Sequence, residues 1–526
     1  MFAEKRALLA AIGANPDEDT PRLAFADWCD EHDEPERARF IRLQFEAERY
    51  GEHTPERLDI EEQATELFNV HHRKWLTDEP VWARSLQSNP LVFRTVGLYG
   101  TRNGFLEHVS LTVADCLANA PEIFATAPVR ELEFEEIRDG GRALANMVLP
   151  GRVAALTLRF SVTPPHWDSV LASPLLRGPR KLSLDLFGEQ PRFGNGGAGI
   201  TWDEREVLGD DGAMVIARCA NLSNLNALAL GGGTIGPPGM EALVKSPYLS
   251  GLESLSLGGH PVGDEGLIHL SRSPLASRLT KLDLQDTQVG DDGLRAFFTA
   301  GPSRLRQLCL GSYGTHRVAG AGLNALVRCD ALRALTDLYL DGVPLTPDHV
   351  CSLANNPCFA GLRRLHIGAS NFDDQMAQEL AASPYLRNLR FIDLQNNRVG
   401  TRGVSALARS PVLDTVIDLE LHNNGGVADA GAAALAGSER VRELQNLGLA
   451  ATGLGLKGLR AVANSPHLAQ LRSLDFESAP FGDRGARALC GSPYLQKIKE
   501  LTLYNCGISD RMAAALRARF GAAVAL

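Results

Sequence analysis

The sequence is poor in several features that mark particular classes of protein. Aromatic residues make up 6% of the 526 residues. No run of about 18 apolar residues occurs, so no membrane-spanning helix is expected. The nine cysteines are odd in number and lack C-x-x-C spacing, which argues against a disulfide framework or a zinc site. With too short an apolar segment at the amino terminus for a secretory signal, the sequence predicts a cytoplasmic protein without metal or cofactor.

Positive charge is also scarce. The chain has 63 acidic and 53 basic residues, which gives a net charge of -10. General binding to the nucleic-acid backbone requires clustered Lys and Arg, so the composition predicts no nucleic-acid partner. An acidic protein is better matched to a partner with a basic surface.

The chain instead contains a pattern that recurs with a period of about 27 residues. Residues 389–397 alternate apolar and polar side chains, which indicates a strand, and Val404, Leu407 and Ala408 then follow at helical spacing. One strand and one helix therefore form the repeat unit of a solenoid. The centres of the predicted regular strands are Leu228, Leu255, Leu282, Leu308, Leu338, Leu365, Ile392, Leu419, Leu447, Leu474 and Leu501.

The repeated pattern resembles the leucine-rich repeat in its helix-bearing, ribonuclease-inhibitor-like form. L-x-x-L-x-L is followed, after two intervening residues, by a small polar residue such as Thr287, Asn397 or Asn424. The resemblance implies an α/β solenoid with a horseshoe shape, parallel strands on its concave side and helices on its convex side. We expect this solenoid at residues 105–526, with an inserted loop at about 187–206.

The first residues do not follow the repeat. They contain LLAAI at 8–12, DTPRLAFADW at 19–28 and RFIRLQ at 39–44. These words resemble the bacterial repeat-companion domain, a helical module found ahead of leucine-rich repeats and without assigned chemistry. The resemblance implies a bacterial protein with a small all-α domain at residues 1–50. A helical linker that caps the amino-terminal end of the solenoid is expected at 51–104.

Several local groups resemble chemical sites, but each has a simpler explanation. The glycine-rich residues 194–199 lack the Gly-Lys-Ser/Thr ending of a phosphate-binding loop, which favours a flexible loop. The pairs at 71–72 and 210–211, and His32 beside its carboxylates, have no second ligand cluster nearby in sequence. Cys29 invites comparison with the cysteine of bacterial leucine-rich-repeat ubiquitin ligases, but no large catalytic domain accompanies it. We therefore expect no catalytic residue.

The strand positions that flank the central leucines form the candidate binding surface. Side chains alternate along a strand, so these positions point to the concave face. In the carboxy-terminal repeats they are mainly acidic, with aromatic residues among the charges, a composition found at interfaces. The candidate partner-binding residues are Asp337, Tyr339, Asp341, Arg364, His366, Phe391, Asp393, Gln395, Asp418, Glu420, His422, Asp475, Glu477, Glu500 and Tyr504.

Together these patterns predict a non-enzymatic scaffold for protein–protein interaction that holds a protein partner on its concave face. An alternative is a regulator of a partner enzyme such as a GTPase, as some ribonuclease-inhibitor-like repeat proteins are. The two hypotheses differ in their consequence. A regulator changes the partner's rate of hydrolysis, whereas a scaffold requires only a stable complex.

Overall fold

A computed structural model gives the structure of the chain at residues 2–15, 18–50, 55–77, 101–102, 105–126, 129–137, 141–160, 167–186, 208–311, 318 and 320–526. The chain divides into two compact units. The first comprises Met1–Thr234 and Lys245–Leu252, and the second Ile235–Val244 and Glu253–Leu526. The inserted loop predicted at 187–206, with its glycine-rich segment, lies outside the described residues, as does part of the segment predicted at 51–104.

The first unit begins with an all-helical region. Apolar side chains of its first three helices, among them Phe25, Trp28 and Ile41, form a common core. Cys29 belongs to this core, and burial raises the pKa of its thiol to about 12, so the side chain is a protonated packing group. The four helices are α1 (Phe2–Ala14), α2 (Asp19–Glu31), α3 (Pro35–Ala47) and α4 (Pro55–Thr77).

Strands and helices alternate in the remainder of the first unit. Its helices are α5 (Val113–Thr126), α6 (Trp167–Leu171) and α7 (Asp210–Arg218). Its strands are β1 (Thr101–Arg102), β2 (Phe105–Leu106), β3 (His108–Leu111), β4 (Glu131–Ile137), β5 (Ala155–Phe160), β6 (Lys181–Leu186), β7 (Leu208–Gly209), β8 (Ala227–Gly231) and β9 (Gly233–Thr234). Strands β3, β4, β5, β6 and β8 pair in that order as a parallel sheet. The short strands pair separately, β1 with β2 and β7 with β9.

The helical region contacts the first repeats through buried polar groups. The guanidinium of Arg22 forms an ion pair with the Glu107 carboxylate, and both side chains are buried. The guanidinium of Arg152 donates a hydrogen bond to the carbonyl of Gly13 at 3.0 Å. Helix α1 also packs against α5. Since a buried charge is costly without its partner, these contacts fix the helical region on the repeats of its unit.

The second unit repeats one strand and one helix along its length. The strands are all parallel, and each pairs with the next in sequence from β10 to β20. None of the helices in the described part of the chain combines the length and apolarity that a membrane crossing requires. The helices are α8 (Pro237–Lys245), α9 (Gly263–Ser271), α10 (Asp291–Thr299), α11 (Gly320–Val327), α12 (Pro347–Asn355), α13 (Asp374–Ala381), α14 (Thr401–Arg409), α15 (Ala428–Ala436), α16 (Leu456–Ala463), α17 (Gly482–Gly491) and α18 (Asp510–Phe520). The strands are β10 (Ser254–Ser256), β11 (Lys281–Asp283), β12 (Gln307–Cys309), β13 (Asp337–Tyr339), β14 (Arg364–His366), β15 (Phe391–Asp393), β16 (Asp418–Glu420), β17 (Asn446–Gly448), β18 (Ser473–Asp475), β19 (Glu500–Thr502) and β20 (Val524–Ala525).

The register of these strands places the central residue of each one beside that of the next. Leu365 pairs with Ile392, Ile392 with Leu419, and Leu419 with Leu447, and all four side chains are buried. The strand centres predicted from the sequence all lie in strands, which confirms the predicted solenoid. The last strand, β20, has no counterpart in that prediction. It pairs with β19 after α18 has ended.

Aspartates in the first turn of several helices join them to the helix that follows. Asp264, in the first turn of α9, accepts hydrogen bonds through Oδ1 from the N–H groups of Gly290 and Gly293, at 2.7 and 2.9 Å. Asp374 and Asp429 repeat this arrangement for α14 and α16. The N–H groups at the start of a helix have no partner inside it, so the carboxylate of the preceding repeat satisfies them. A Cβ at position 293 would lie 2.7 Å from Asp264 Oδ1, which explains the glycine.

The Ser-Pro pairs also connect repeats. A proline at this position ends the helix and turns the chain toward the next strand. In most of these pairs the serine hydroxyl donates to a backbone carbonyl 29 residues earlier, and Ser410 also precedes a short 3₁₀ turn. Ser383 Oγ bonds to the carbonyl of Ala354 and Ser410 Oγ to that of Ala381, each at 2.5 Å. Each bond joins adjacent repeats and pairs two polar groups that are buried or partly buried.

We expect Leu394→Ala to lower the free energy of unfolding by about 2 to 5 kcal/mol, because the deletion leaves a cavity between adjacent strands. The Leu394 side chain is 0% exposed. The measurement is a urea titration followed by circular dichroism. Leu117→Ala is the matched control, because it removes the same atoms from a side chain that is 54% exposed. A midpoint for Leu394→Ala equal to that of the control would contradict the assigned packing.

Candidate functional site

The candidate site is the face of the second unit's sheet on which the residues flanking the strand centres lie; we call it the open sheet face. These residues are half-exposed in most of its strands, whereas the strand centres are buried. The strand register arranges them in three columns. The first column is Asp337, Arg364, Phe391, Asp418, Asn446, Ser473 and Glu500. The second is Tyr339, His366, Asp393, Glu420, Gly448, Asp475 and Thr502, and the third is Asp341, Gly368, Gln395, His422, Ala450, Glu477 and Tyr504.

In the first column, charged and aromatic groups cover one another. The Arg364 guanidinium lies 3.3 Å from Asp337 Oδ1 and 4.6 Å from the centre of the Phe391 ring. Phe391 is therefore half-buried beneath a cation. Asp418 accepts a hydrogen bond from Asn446 Nδ2 at 2.9 Å. Two of these residues, Arg364 and Phe391, were predicted as separate contact points, but the structure makes them one stacked pair.

In the second column, His366 connects an aromatic ring to a carboxylate. Its ring stacks on Tyr339 with the centroids 4.4 Å apart, and its Nδ1 lies 3.5 Å from Asp393 Oδ2. Asp393 is only 8% exposed. Its two oxygens accept hydrogen bonds from the N–H and the side-chain amide of Gln395, each at 2.9 Å. Asp393 is thus held inside the face, and little of it is offered to a partner.

A second histidine lies among carboxylates farther along the face. His422 Nε2 lies 2.9 Å from Glu420 Oε2 and 3.7 Å from Asp475 Oδ2. The contact with Glu420 raises the pKa of His422 above its usual value, against the opposing effect of burial. Gly448 makes this approach feasible, because a Cβ there would lie 1.8 Å from Glu420 Oε2 and 2.1 Å from His422 Nε2. The acidic candidates Asp393, Glu420, Asp475 and Glu477 therefore do not form an unbroken stripe, because the His422 imidazole and Gly448 lie among them.

The last repeats present the most accessible predicted residues. Glu477 is half-exposed, and its N–H donates to Asp475 Oδ1 at 2.8 Å. Glu500 is exposed and accepts a hydrogen bond from Ser473 Oγ at 3.2 Å. Tyr504 is 46% exposed. Of the three aromatic candidates, Tyr339, Phe391 and Tyr504, Tyr504 is the exposed one.

Sequence reasoning missed Gly368 and Gly448, although both shape this face. Gly368 lies in the third column between Asp341 and Gln395, and Gly448 lies in the second column between Glu420 and Asp475. Alignment of the repeats would have found them as the positions where a large polar residue is replaced by glycine. Their effect depends on the long side chains of adjacent strands, which turn into the space that each glycine leaves.

A family model described as "Leucine Rich repeat" matches the sequence in five segments, at residues 221–244, 251–271, 278–298, 385–408 and 467–490. The matches lie where the structure alternates strands and helices. They support the repeat pattern found in the sequence. No curated protein matches the chain.

Three solved structures are similar to the chain at low identity. An internalin from Listeria monocytogenes has 17% identity over 59% of this chain and 84% of its own, with a TM-score of 0.37. The Rad7–Elc1 complex from yeast has 15% identity over 88% of this chain and 96% of its own, with a TM-score of 0.45. A leucine-rich repeat protein from Leptospira interrogans has 14% identity over 80% of this chain and 100% of its own, with a TM-score of 0.36. Values this low support no inference about function.

The pKa of Asp418 is raised from 3.8 to about 6, because burial disfavours its charged form and the nearby Glu420 and Asp393 charges add repulsion. Between these pH values the folded chain keeps a proton that the unfolded chain has lost. Stability therefore falls as the pH rises through this window, and the cost above it is at most about 3 kcal/mol.

We expect Asp418→Asn to raise the free energy of unfolding by about 1 to 3 kcal/mol near pH 7.5 and to change it little near pH 4, where Asp418 is already protonated in the folded chain. Urea titrations at the two pH values measure the difference. The exposed Asp330→Asn controls for loss of a charge and should change stability by no more than about 0.5 kcal/mol. Equal stability of Asp418→Asn and the unaltered chain at both pH values would contradict this account.

Proposed function

We propose that this chain, a leucine-rich repeat protein, is a non-enzymatic scaffold that binds a basic protein surface on the open sheet face of its second unit. The observation that carries the proposal is the strand register. It brings Asp418, Glu420, Asp475 and Glu500 together on the neighbouring strands β16 to β19, with Glu477 just after β18. None of the three column positions on these four strands is Lys or Arg.

Stacked carboxylates create a field that single surface charges do not. Neighbouring strands lie about 4.8 Å apart, which is shorter than the screening length of about 8 Å at physiological ionic strength. The charges on β16 to β19 therefore act together on an approaching protein. Such a field increases the association rate of an oppositely charged partner and selects against acidic ones.

An apolar anchor must add most of the affinity, because steering by charge acts mainly on association. Tyr504 fits this role, because its ring is exposed and its strand pairs with the segment that carries Glu477. Tyr339 and Phe391 fit it less well, because His366 and Arg364 already cover their rings. The contact area is therefore proposed to centre on the last repeats of the second unit.

The charge test reverses Glu477 and Glu500 to Lys together. Both are accessible, so the change should leave the fold intact. We expect association with the partner to slow by about tenfold or more at low salt, and its dependence on salt to weaken. Partners are first captured from a lysate with the unaltered chain and with the variant, and are compared by quantitative mass spectrometry. Surface plasmon resonance at two salt concentrations then measures the rates for a recovered partner.

A matched control carries the same change in net charge away from the sheet. Asp348→Lys with Glu439→Lys alters two exposed acids, one in α12 and one in a 3₁₀ turn. Capture should be preserved in this control. Equal losses in the two double variants would show a general charge effect, and preserved capture in both would place the interface elsewhere; either result contradicts the proposal.

The anchor is tested separately with Tyr504→Ala. Removal of a central buried aromatic ring should speed dissociation by about tenfold or more while the association rate changes little. Tyr385→Ala is the control, because that ring is 37% exposed but lies in the segment after α13, outside the three columns. Dissociation rates from surface plasmon resonance decide between the two. A dissociation rate for Tyr504→Ala equal to that of the control would contradict the placement of the interface at the last repeats.

A further inference from the structure

Three metal-ligating side chains from successive strands converge on the open sheet face. They are Asp341, which follows β13, His366 in β14 and Asp393 in β15. One donor atom of each lies within 4.8 Å of the other two, and within the described part of the chain this is the one such group of three His, Cys, Asp or Glu residues. We propose that Asp341, His366 and Asp393 form a binding site for a divalent first-row transition metal ion, for which Zn²⁺ is the probe.

The backbone fixes both carboxylates. Asp341 Oδ1 accepts a hydrogen bond from the N–H of Gly368 at 2.8 Å, and Asp393 Oδ1 accepts one from the N–H of Gln395 at 2.9 Å. The imidazole is oriented by its stacking on Tyr339, with 21° between the ring planes. In metal sites, groups around the ligands orient them in this way and tune their affinity. The three ligands are therefore largely positioned before an ion binds.

Gly368 provides the space for these groups. A Cβ at this position would lie 2.7 Å from Asp341 Oδ1 and 3.2 Å from Gln395 Cγ. The equivalent positions on the adjacent strands carry those two larger residues, so the glycine opens a recess between them. Asp341 turns into this recess toward His366 and Asp393.

The donor set indicates the class of ion. One imidazole and two carboxylates suit Zn²⁺, Co²⁺ and related ions, whereas Ca²⁺ and Mg²⁺ prefer sites made entirely of oxygen ligands. Ligands at about 2.1 Å from a tetrahedral ion stand about 3.4 Å apart, so binding would draw the side chains together by small rotations. Three protein ligands leave one position for water. The ion would also offset the repulsion between the Asp341 and Asp393 carboxylates.

Local sequence patterns predict no metal site here, because the three ligands do not lie near one another in the chain. These ligands are 25 and 27 residues apart, about one repeat in each case, and only the register of β13, β14 and β15 brings them together.

The test is isothermal titration of the chelator-treated full-length chain with Zn²⁺. We expect one equivalent to bind, and we expect His366→Gln and Asp341→Asn each to weaken the affinity by about tenfold or more. Titration with Co²⁺ should give visible absorption bands that His366→Gln alters. His422→Gln is the matched control, because it removes an imidazole that also contacts carboxylates on this face, and its affinity should stay within about threefold of the unaltered chain.

Three results would overturn the proposal: no stoichiometric Zn²⁺ binding by the unaltered chain, unchanged affinity in both site variants, or a loss of affinity in His422→Gln that equals theirs. Circular dichroism establishes that each variant is folded, and the titration of the unaltered chain is decisive by itself. No partner protein is used, so failure of the metal site leaves the scaffold proposal untouched.

Discussion

The interaction on which the rest of the structure depends is the parallel pairing of each strand with the equivalent strand of the next repeat. A single repeat has a buried leucine on one side of a three-residue strand and cannot shield it alone. Pairing at constant register places Leu365, Ile392 and Leu419 side by side and buries each against its neighbours. A slip of one residue would move every apolar side chain to the open face, so the register is strongly specified. The columns of polar residues on that face are a consequence of the same register.

The pairing of successive repeats also determines which groups the buried polar side chains bond to. Asn397 shows how one side chain joins two repeats: its Nδ2 donates to the carbonyls of Ile367 and Leu394, and its Oδ1 accepts from the N–H groups of Ser370 and Phe372. Buried backbone groups without a partner would be costly, and the turn after each strand contains several. The Asp and Ser contacts between helices serve the same purpose at the other side of the repeat. Polar residues inside the array are therefore as periodic as the leucines.

These dependencies explain which features the sequence could predict. Strand centres such as Ile392 can be predicted from the local alternation of apolar and polar residues. The parallel architecture can be predicted from the repeat period. The role of Ser383 could not be predicted from local pattern, because its partner Ala354 lies 29 residues earlier and an ordinary helix stop gives the same sequence. The ion pair of Arg22 is harder still to predict, because its partner Glu107 lies 85 residues away and the separation is not a multiple of the repeat period.

The candidate site was predictable in position but not in the pairing of its groups. Repeat alignment assigns Arg364, Phe391 and Asp337 to one column, and that assignment is correct. It does not say whether the long arginine side chain extends into solvent or lies over the aromatic ring, because both are allowed by the same register. The structure selects the second arrangement, which changes Phe391 from an exposed anchor to half of a stacked pair.

The acidic face has two proposed uses, charge steering of a partner and metal binding, and the second depends on glycine at one column position. Carboxylates in one column stand about 4.8 Å apart, where two unit charges repel by about 1 kcal/mol in water and about 3 kcal/mol at an effective dielectric constant of 20. On β18 and β19 no two carboxylates occupy the same column, so the charges stay apart and act as a diffuse field. Where Gly368 or Gly448 replaces a large residue, side chains of adjacent strands turn inward and bring a histidine and carboxylates together. We propose that Gly368 contributes in this way to a local site within a steering surface, while the leucine register beneath it stays the same.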